Sequence, residues 1–335
     1  MVRKYDIYGL GNALVDIVTE VDDDFFRKHA IEKGVMTLVD EARQHQLIEA
    51  IHLPESDMQC GGSAANTVIS ASQFGSKCYY SCKVANDKMG KFYLRDLKSN
   101  HVDTNISENQ LMDGITGKCL VMTSPDAQRT MNTFLGITSS FSTGELDEEA
   151  IKASRYIYVE GYLITTPEGQ KAMKDAITLA KKHKVKTALT FSDPSMVKYF
   201  KEEMEEVVSG GIDLLFCNEE EACLFTDTEN LLEARERLKY TANRFTITLG
   251  SNGASIFDGD TFIDIESYKV NAIDTNGAGD MFAGAFLFGI THGHTYAESG
   301  KIASLAASRI VSKFGPRLST PQIQDVMATL FQSED

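Results

Sequence analysis

Residues 273–284 read IDTNGAGDMFAG, and this stretch joins a polar turn to an apolar run. Gly277 and Gly279 carry no Cβ, so the backbone there can turn tightly and approach a ligand closely. The apolar run that follows predicts a helix, and the first N–H groups and the dipole of a helix favour a phosphate. The sequence therefore predicts an anion-binding turn at the start of this helix.

Asp280 stands at the mouth of the predicted anion site, where a carboxylate would repel a bound phosphate. This placement suits a group that removes a proton from a hydroxyl about to attack phosphorus. The alternative is that Asp280 caps the helix and that the two glycines serve an ordinary turn, since short glycine motifs recur widely.

Residues 274–280 (DTNGAGD) resemble the Asp-Thr-x-Gly-Ala-Gly-Asp signature of the ribokinase-like (PfkB) family of sugar and nucleoside kinases. The resemblance implies that Gly277, Ala278 and Gly279 form an anion hole and that Asp280 is the catalytic base. It also implies an α/β fold with a ribokinase-like, central, mostly parallel sheet flanked by helices and with a small β-sheet lid.

The first predicted strand reaches the glycine pair of residues 9–11 (GLG), a feature shared with dinucleotide-binding dehydrogenases. The third glycine of that motif is absent, and residues 14–18 continue as a strand rather than a helix. The pattern therefore argues against a dehydrogenase.

Asn12 and Asp16 can face one ligand together, because alternate residues of a strand share a face. In the resembled family an Asp at the position of Asp16 holds substrate hydroxyls, and residues 11–17 (GNALVDI) are most similar to the adenosine kinase branch. A strand-edge Asp16 that faces solvent is the alternative.

Gly61 and Gly62 open a second predicted helix, and Asn66 lies one turn into it. Two glycines allow close approach of a ligand, and an amide both donates and accepts, which suits a sugar. Alone, the pattern could be a turn with a cap. It also resembles the first PfkB signature, which implies that these three residues bind the acceptor.

Asn218 and Glu221 follow a predicted strand and stand three residues apart, so they share one helix face. The acidic run 219–221 is otherwise typical of a solvated helix start. The pair matches the family's Asn-x-x-Glu motif, which implies that Asn218 binds ATP and that Glu221 acts on hydrated Mg²⁺ through a water molecule.

A glycine turn between two predicted strands contains Thr248, Gly250 and Gly253. These residues could simply form a hairpin, whereas the resemblance implies that they line the ATP site. It further implies that Asn276 contacts ATP with a monovalent cation such as K⁺ nearby.

Two further residues complete the candidate site. Tyr162 follows the predicted strand 156–160, at the edge where open α/β sheets bind ligands, and the resemblance implies a base-stacking aromatic residue near this position. Arg129 could contact substrate hydroxyls, but a solvated strand edge is the better prediction for this residue.

The chain has 335 residues, of which 42% are hydrophobic, enough for one large domain with an appendage. Strands and helices alternate from residue 155 onward, which favours a parallel sheet. We assign residues 1–16, 41–100 and 140–335 to a large α/β domain that binds nucleotide and substrate, and residues 17–40 and 101–139 to a small β lid.

The net charge of −15 argues against nucleic acid or an acidic membrane as a partner. The chain has no run of about 18 apolar residues, and no signal sequence is visible, so a cytoplasmic location is expected. The six cysteines are scattered, which is typical of buried thiols rather than disulfides or a zinc site.

The resemblance to the PfkB family, which spans nearly the whole chain, implies a kinase that uses ATP and Mg²⁺ to phosphorylate a primary hydroxyl of a ribonucleoside such as adenosine. A free sugar such as ribose or fructose is the alternative acceptor, because residues 129–133 (RTMNT) and 315–318 (GPRL) are more similar to sugar kinases. A catalytically silent nucleotide-binding protein is a second alternative, although Asp280 and the anion-hole glycines are present.

The sequence does not determine an oligomeric state; the resemblance implies that lid sheets can pair edge to edge in a homodimer.

Overall fold

The computed structural model describes residues 3–51, 58–126 and 128–331, and their strands form two sheets. The strands are β1 (Tyr5–Leu10), β2 (Leu14–Glu20), β3 (Met36–Leu38), β4 (Met58–Gly61), β5 (Cys78–Ser81), β6 (Val102–Thr104), β7 (Thr116–Thr123), β8 (Arg129–Gly136), β9 (Ser154–Glu160), β10 (Lys186–Thr190), β11 (Leu214–Asn218), β12 (Phe245–Thr248), β13 (Ala254–Phe257) and β14 (Phe262–Ile265). The helices are α1 (Asp23–Lys28), α2 (Glu41–Ile51), α3 (Ser63–Phe74), α4 (Lys88–Ser99), α5 (Glu148–Lys152), α6 (Pro167–Lys182), α7 (Pro194–Tyr199), α8 (Lys201–Ser209), α9 (Glu219–Thr226), α10 (Leu231–Leu238), α11 (Ala278–Thr291), α12 (Tyr296–Val311) and α13 (Thr320–Phe331).

The large sheet has nine strands in the order β14-β13-β12-β11-β10-β9-β1-β5-β6. The seven strands from β12 to β6 in this order are parallel, and β13 is antiparallel to both of its neighbours. Helices α3, α11 and α12 bury one face of the sheet, and α6 and α8 bury the other. The prediction of a mostly parallel sheet flanked by helices, with a separate small sheet, is confirmed.

The small sheet, which we call the lid sheet, has five strands in the order β3-β8-β7-β2-β4. One of its faces packs against α1 and α2 through a separate small core that includes Ile17, Phe26, Leu47, Leu120 and Met122. The opposite face carries alternate residues of the same strands, because side chains of a strand alternate between faces. That face covers one edge of the large sheet and forms part of the candidate site.

The sheets divide the chain differently from the sequence-based assignment in four places. Residues 14–16 already belong to β2 of the lid sheet, and β4 pairs antiparallel with β2. Helix α2 packs on the lid sheet, since its Leu47 is buried in the small core. Strand β6, in contrast, pairs with β5 in the large sheet. Strands β4 and β6 are only four and three residues long, too short for an apolar pattern to reveal their partners. Residues 1–2, 52–57, 127 and 332–335 of the assigned ranges lie outside the described residues.

Three other expectations can be compared with the structure. The predicted continuation of residues 14–18 as a strand is confirmed by β2, which excludes the helix of a dinucleotide-binding motif. All six cysteines are free thiols, five of them buried. Within the described part of the chain, no helix combines the length and apolar character needed to cross a membrane.

Candidate active site

A cavity of about 260 Å³ lies between the lid sheet and the carboxyl edge of the large sheet. Polar residues enter it from the carboxyl ends of parallel strands, at the edge where open α/β sheets bind ligands. From the large sheet these are Asn12, Glu160, Thr190, Asn218 and Thr248, and from the lid sheet Asp16, Cys119, Arg129 and Thr133 face the same space. The start of α11 closes the cavity, with residues 275–280 in its wall.

Asp280 lies in the first turn of α11 and is held by two donors from α3. Its Oδ1 accepts a hydrogen bond from Ser63 Oγ at 2.7 Å, and its Oδ2 accepts one from Asn66 Nδ2 at 3.2 Å. The N-cap position of α11 is Gly277, which has no side-chain cap. The partners of the Asp280 carboxylate are therefore on another helix, which does not fit the alternative of a simple helix cap.

Burial raises the pKa of Asp280 above its ordinary value, while the hydrogen bonds from Ser63 and Asn66 and the positive charges of Arg129 and Arg317 oppose this rise. A carboxylate of raised pKa accepts a proton more readily than an ordinary one at neutral pH. The site thus combines a basic carboxylate with a helix start that has no side-chain cap and can face an anion, while the N–H of Ala278 there donates to the carbonyl oxygen of Thr275 at 3.3 Å.

The anion-site residues have the conformation that glycine permits. Gly277 has φ of +74°, and a Cβ added there would lie 2.7 Å from the carbonyl oxygen of Pro316. Gly279 faces open space, since an added Cβ would meet no atom within 4 Å. Gly277, Ala278 and Gly279 all line the cavity, so the turn leaves its backbone accessible to a ligand.

On the lid side, Asp16 is buried, with 6% of its surface exposed, and its carboxylate packs directly on Gly61. Burial raises its pKa from 3.8 to about 7; Arg317 and Arg129 lower the pKa, and the negative charge of Asp280 raises it further. None of the described residues donates a hydrogen bond to Asp16, which leaves the carboxylate available to ligand hydroxyls. Gly62, in the same cavity wall, has φ of +97° and lies against the carbonyl oxygen of Asn12.

Glu160 fixes the backbone on which these residues depend. It is fully buried, and its two carboxylate oxygens accept hydrogen bonds from the backbone N–H groups of Asn12 at 3.1 Å and of Ala64 at 2.8 Å. Burial raises the pKa of Glu160 to about 7, and these two N–H groups oppose the rise. Glu160 therefore joins the end of β1 to the start of α3 at the floor of the cavity.

The nucleotide-side candidates fall into two groups. Asn218 and Glu221 line the cavity and form a capping box: Asn218 N–H donates to Glu221 Oε2 at 2.9 Å, and Glu221 N–H donates to Asn218 Oδ1 at 2.8 Å. Burial raises the pKa of Glu221 to about 8. Thr248 also lines the cavity, whereas Gly250 and Gly253 lie in the adjoining turn between β12 and β13.

Arg129 is not at a solvated strand edge, so that expectation is wrong. It points into the cavity and donates from Nη1 to Asn276 Oδ1 at 2.7 Å. The reason is alternation: Arg129 shares the cavity face of β8 with Met131 and Thr133. The Nδ2 group of Asn276 is buried and has no hydrogen-bond partner among the described residues. Tyr162 forms another part of the wall, and its hydroxyl donates to Asp193 at 3.4 Å.

The family to which the chain belongs follows from a comparison of its sequence with family models. The model described as "pfkB family carbohydrate kinase" matches residues 35–323. The chain belongs to the pfkB family. It is accordingly a phosphotransferase that uses a hydroxyl group as acceptor, as predicted.

Similar proteins place this pfkB kinase in the adenosine kinase-like branch. An adenosine kinase structure from Sinorhizobium meliloti is 31% identical, with a TM-score of 0.91, and the alignment covers 97% of this chain and all of that one. The adenosine kinase of Saccharomyces cerevisiae is 27% identical over 94% of this chain and 97% of its own length. The ribokinase of Staphylococcus aureus is 28% identical over 83% of this chain and 90% of its own length.

Ser63 and Glu160 are functional candidates of this pfkB kinase that sequence reasoning missed, and both contact the site directly. A signal for Glu160 was present, because it is a charged residue that ends an apolar strand just before Gly161. Ser63 had no such signal, since a serine at a helix start is usually a cap. In the described part of the chain, no cluster of three or more His, Cys, Asp or Glu side chains could hold a metal ion.

Substitution of Gly61 by alanine is expected to raise the KM for the acceptor by about tenfold to a hundredfold. A Cβ at this position would lie 2.1 Å from the Asp16 carboxylate and would displace it, and losing a hydrogen bond from an acceptor hydroxyl to this charged group costs about 1.5–3 kcal/mol of binding. Steady-state kinetics against acceptor concentration measure the effect. Gly144→Ala is the matched control, because its Cβ would meet only Ser142 Oγ, at 3.4 Å. An unchanged KM in Gly61→Ala would contradict the assigned contact.

Proposed function

We propose that this pfkB kinase transfers the γ-phosphoryl group of ATP to a primary hydroxyl of a ribonucleoside such as adenosine. The observation that carries the proposal is the arrangement around Asp280. A carboxylate of raised pKa stands at an uncapped helix start, in the same cavity as the buried polar residues Asn12, Asp16 and Asn66. A hydroxyl held by those residues would have a base beside it and an anion site next to it.

In this reaction Asp280 would take the proton of the attacking hydroxyl. Its two hydrogen bonds, from Ser63 and Asn66, would hold the carboxylate in one orientation while leaving lone pairs free for the acceptor. The backbone N–H groups of Gly277, Ala278 and Gly279 would stabilise charge on the transferring phosphoryl group. Arg129, the cation in the cavity wall, would add positive charge on the lid side.

The residues present fit a bound ATP with Mg²⁺. The unpartnered Nδ2 of Asn276 is a buried donor that lacks an acceptor, and a phosphate oxygen would satisfy it. Asn218 and Thr248 would contact ATP from the strand ends, with Gly250 and Gly253 in the turn beyond. Mg²⁺, when bound, neutralises charge on the phosphate oxygens, and Glu221 would act on it through its water molecules, because Asn218 already engages both carboxylate oxygens.

The lid sheet supports a nucleoside rather than a free sugar. Asp16, Cys119 and Thr133 are cross-strand neighbours and form a polar row. Two residues further along β7, on the same face of the sheet, the neighbouring row consists of Val121, Met131 and Met36, which also line the cavity. The polar row suits ribose hydroxyls, and the apolar row together with Tyr162 suits a planar base. A free sugar, which carries hydroxyls on every side, would leave the apolar row without a complementary partner.

A panel of acceptors tests the proposal. With ATP and Mg²⁺ in a coupled assay, we expect adenosine or another purine ribonucleoside to be phosphorylated with a kcat/KM at least about a hundredfold above that for ribose or fructose. Product analysis should locate the phosphate on the primary hydroxyl. Turnover with a free sugar and with no nucleoside would reject our choice in favour of the ribokinase-type alternative, which the similarity to ribokinase keeps open.

Three expectations stay predictions. They are a monovalent cation near Asn276, a homodimer formed through the lid sheet, and a cytoplasmic location. ATP turnover compared in K⁺ and Na⁺, and the mass in solution, would test the first two.

A further inference from the structure

Arg317 lies outside the cavity wall, in the segment between α12 and α13, yet it contacts the part of the site that binds the acceptor. Its side chain is 13% exposed. Its guanidinium donates to three acceptors: Nε to Asn66 Oδ1 at 3.1 Å, Nη2 to the carbonyl oxygen of Cys60 at 2.5 Å, and Nη1 to Asp96. The planar fork of arginine allows one side chain to reach all three.

The contact with Asn66 determines how that amide is oriented. On one side of Asn66 stands the Asp280 carboxylate, which accepts a hydrogen bond, and on the other side stands the Arg317 guanidinium, which can only donate. The amide oxygen must therefore face Arg317 and the NH₂ group must face Asp280. The opposite orientation would place an oxygen against the carboxylate and an NH₂ group against the guanidinium.

The same segment also supports the anion site. Gly315 N–H donates to Asp274 Oδ2 at 3.1 Å, and Asp274 Oδ1 accepts from Asn276 N–H at 2.9 Å. Pro316 packs against Gly277, where an added Cβ would lie 2.8 Å from its Cα. Residues 315–317 thus contact both the turn that precedes α11 and the α3 residue that bonds to Asp280.

We propose that Arg317 is a positioning residue for phosphoryl transfer, which acts by holding the Asn66 amide in the orientation that donates to Asp280. The inference rests on the proposed role of Asp280 as the base. Without the guanidinium, the amide can rotate, and the carboxylate loses one of its two donors and its fixed position. We expect a loss in kcat, because Asp280 would no longer be aligned with the acceptor hydroxyl.

A purely structural role for Arg317 makes a different prediction. Its ion pair with Asp96 joins the C-terminal segment to α4, and that pair alone could stabilise the fold. In that case Asp96→Asn would reproduce the defect of an Arg317 variant. If Arg317 acts through Asn66, Asp96→Asn instead lowers the melting temperature and leaves kcat within about threefold of the wild type, since the bond to Asn66 is retained.

The test is a double-mutant cycle on the full-length protein, with ATP, Mg²⁺ and the acceptor found in the panel. We expect Arg317→Gln to lower kcat by about tenfold to a hundredfold with less than about a threefold change in the KM for ATP. In the Asn66→Ala background, the same substitution should lower kcat less than about threefold, because the amide through which it acts is gone. Arg309→Gln, which breaks the surface ion pair with Asp325, is the matched control for the loss of an arginine.

The outcomes separate this inference from the proposed function. A normal kcat in Arg317→Gln, an equal loss in Asp96→Asn, or the same loss in both Asn66 backgrounds would overturn the role of Arg317 while the kinase activity stands. Full activity of Asp280→Asn would instead overturn the proposed base. If Arg317→Gln does not fold, Arg317→Lys replaces it, because lysine keeps the charge near Asp96 but lacks the fork, and the same loss in kcat is expected.

Discussion

Replacement of Asp280 by asparagine is expected to lower kcat by at least about 10²–10⁴-fold, the usual contribution of a general base. The amide has nearly the same shape, so Ser63 can still reach Oδ1, and the start of α11 keeps its conformation. The variant would lose the proton acceptor and, because an NH₂ group replaces Oδ2, also the hydrogen bond from Asn66. Binding of ATP and of the acceptor, measured by calorimetry, should change less than about tenfold.

Asp260→Asn is the control for this substitution, because it makes the same chemical change in an exposed turn. Near-normal turnover in Asp280→Asn would remove Asp280 from the proposed role. A loss of ATP binding equal to the loss of rate would instead indicate that the carboxylate maintains the fold of the anion site.

Asp16→Asn is expected to separate acceptor binding from stability. A hydrogen bond to a charged group contributes about 1.5–3 kcal/mol, so the KM for the acceptor should rise by about tenfold to a hundredfold. The same substitution should stabilise the folded protein at pH 8. Burial raises the pKa of Asp16 to about 7, so above this pH the native state contains an ionised carboxylate that burial disfavours.

The sign of the pH dependence follows from proton binding. Between about pH 4 and pH 7 the folded state holds a proton on Asp16 that the unfolded state has released, so this group makes the protein less stable as the pH rises through that window. Melting temperatures of the wild type and of Asp16→Asn should therefore differ more at pH 8 than at pH 5. Glu160 and Glu221 have raised pKa values in both proteins, so the comparison cancels their effect.

Asp113→Asn, at an exposed position, provides the control for the Asp16 comparison. A melting temperature that falls at pH 8 in Asp16→Asn would show that the carboxylate makes stabilising contacts in the folded state. An unchanged acceptor KM would contradict its assigned role.

The sequence predicted the two-sheet architecture because its signals are local. Apolar strands followed by amphipathic helices, from residue 155 onward, are readable without any partner, and the glycine turn before α11 has its own pattern. The limits of the lid sheet were not readable in this way. Whether β4 belongs to the lid sheet depends on its pairing with β2, more than 40 residues earlier in the chain, and no periodicity within four residues reveals such a partner.

The residues of the candidate site show the same difference between local sequence motifs and contacts made by distant segments. Two separate motifs predicted Asn66 and Asp280, and the structure brings their side chains within hydrogen-bond distance although 214 residues separate them. Glu160 acts on these residues from a distant segment through a single side chain and has no motif of its own, and the resemblance of residues 315–318 to sugar kinases did not reveal the contact of Arg317 with Asn66. Arg129 was misjudged because a charged residue at the start of a strand is most often solvated, and only the packing of the lid sheet over the cavity shows otherwise.

The covalent links between the two sheets have a consequence for motion. Only residues 11–13 separate β1 from β2, and Gly62 alone separates β4 from α3. The paired strands β2 and β4 are thus tethered at one corner, whereas β3 lies at the far margin. Any rigid-body rotation of the lid sheet about that corner has its smallest amplitude at Asp16 and Gly61 and its largest at Met36. The position of the edge strand β3, with Met36, therefore determines how wide the opening to the cavity becomes, while the spacing between Asp16 and α3 stays nearly constant.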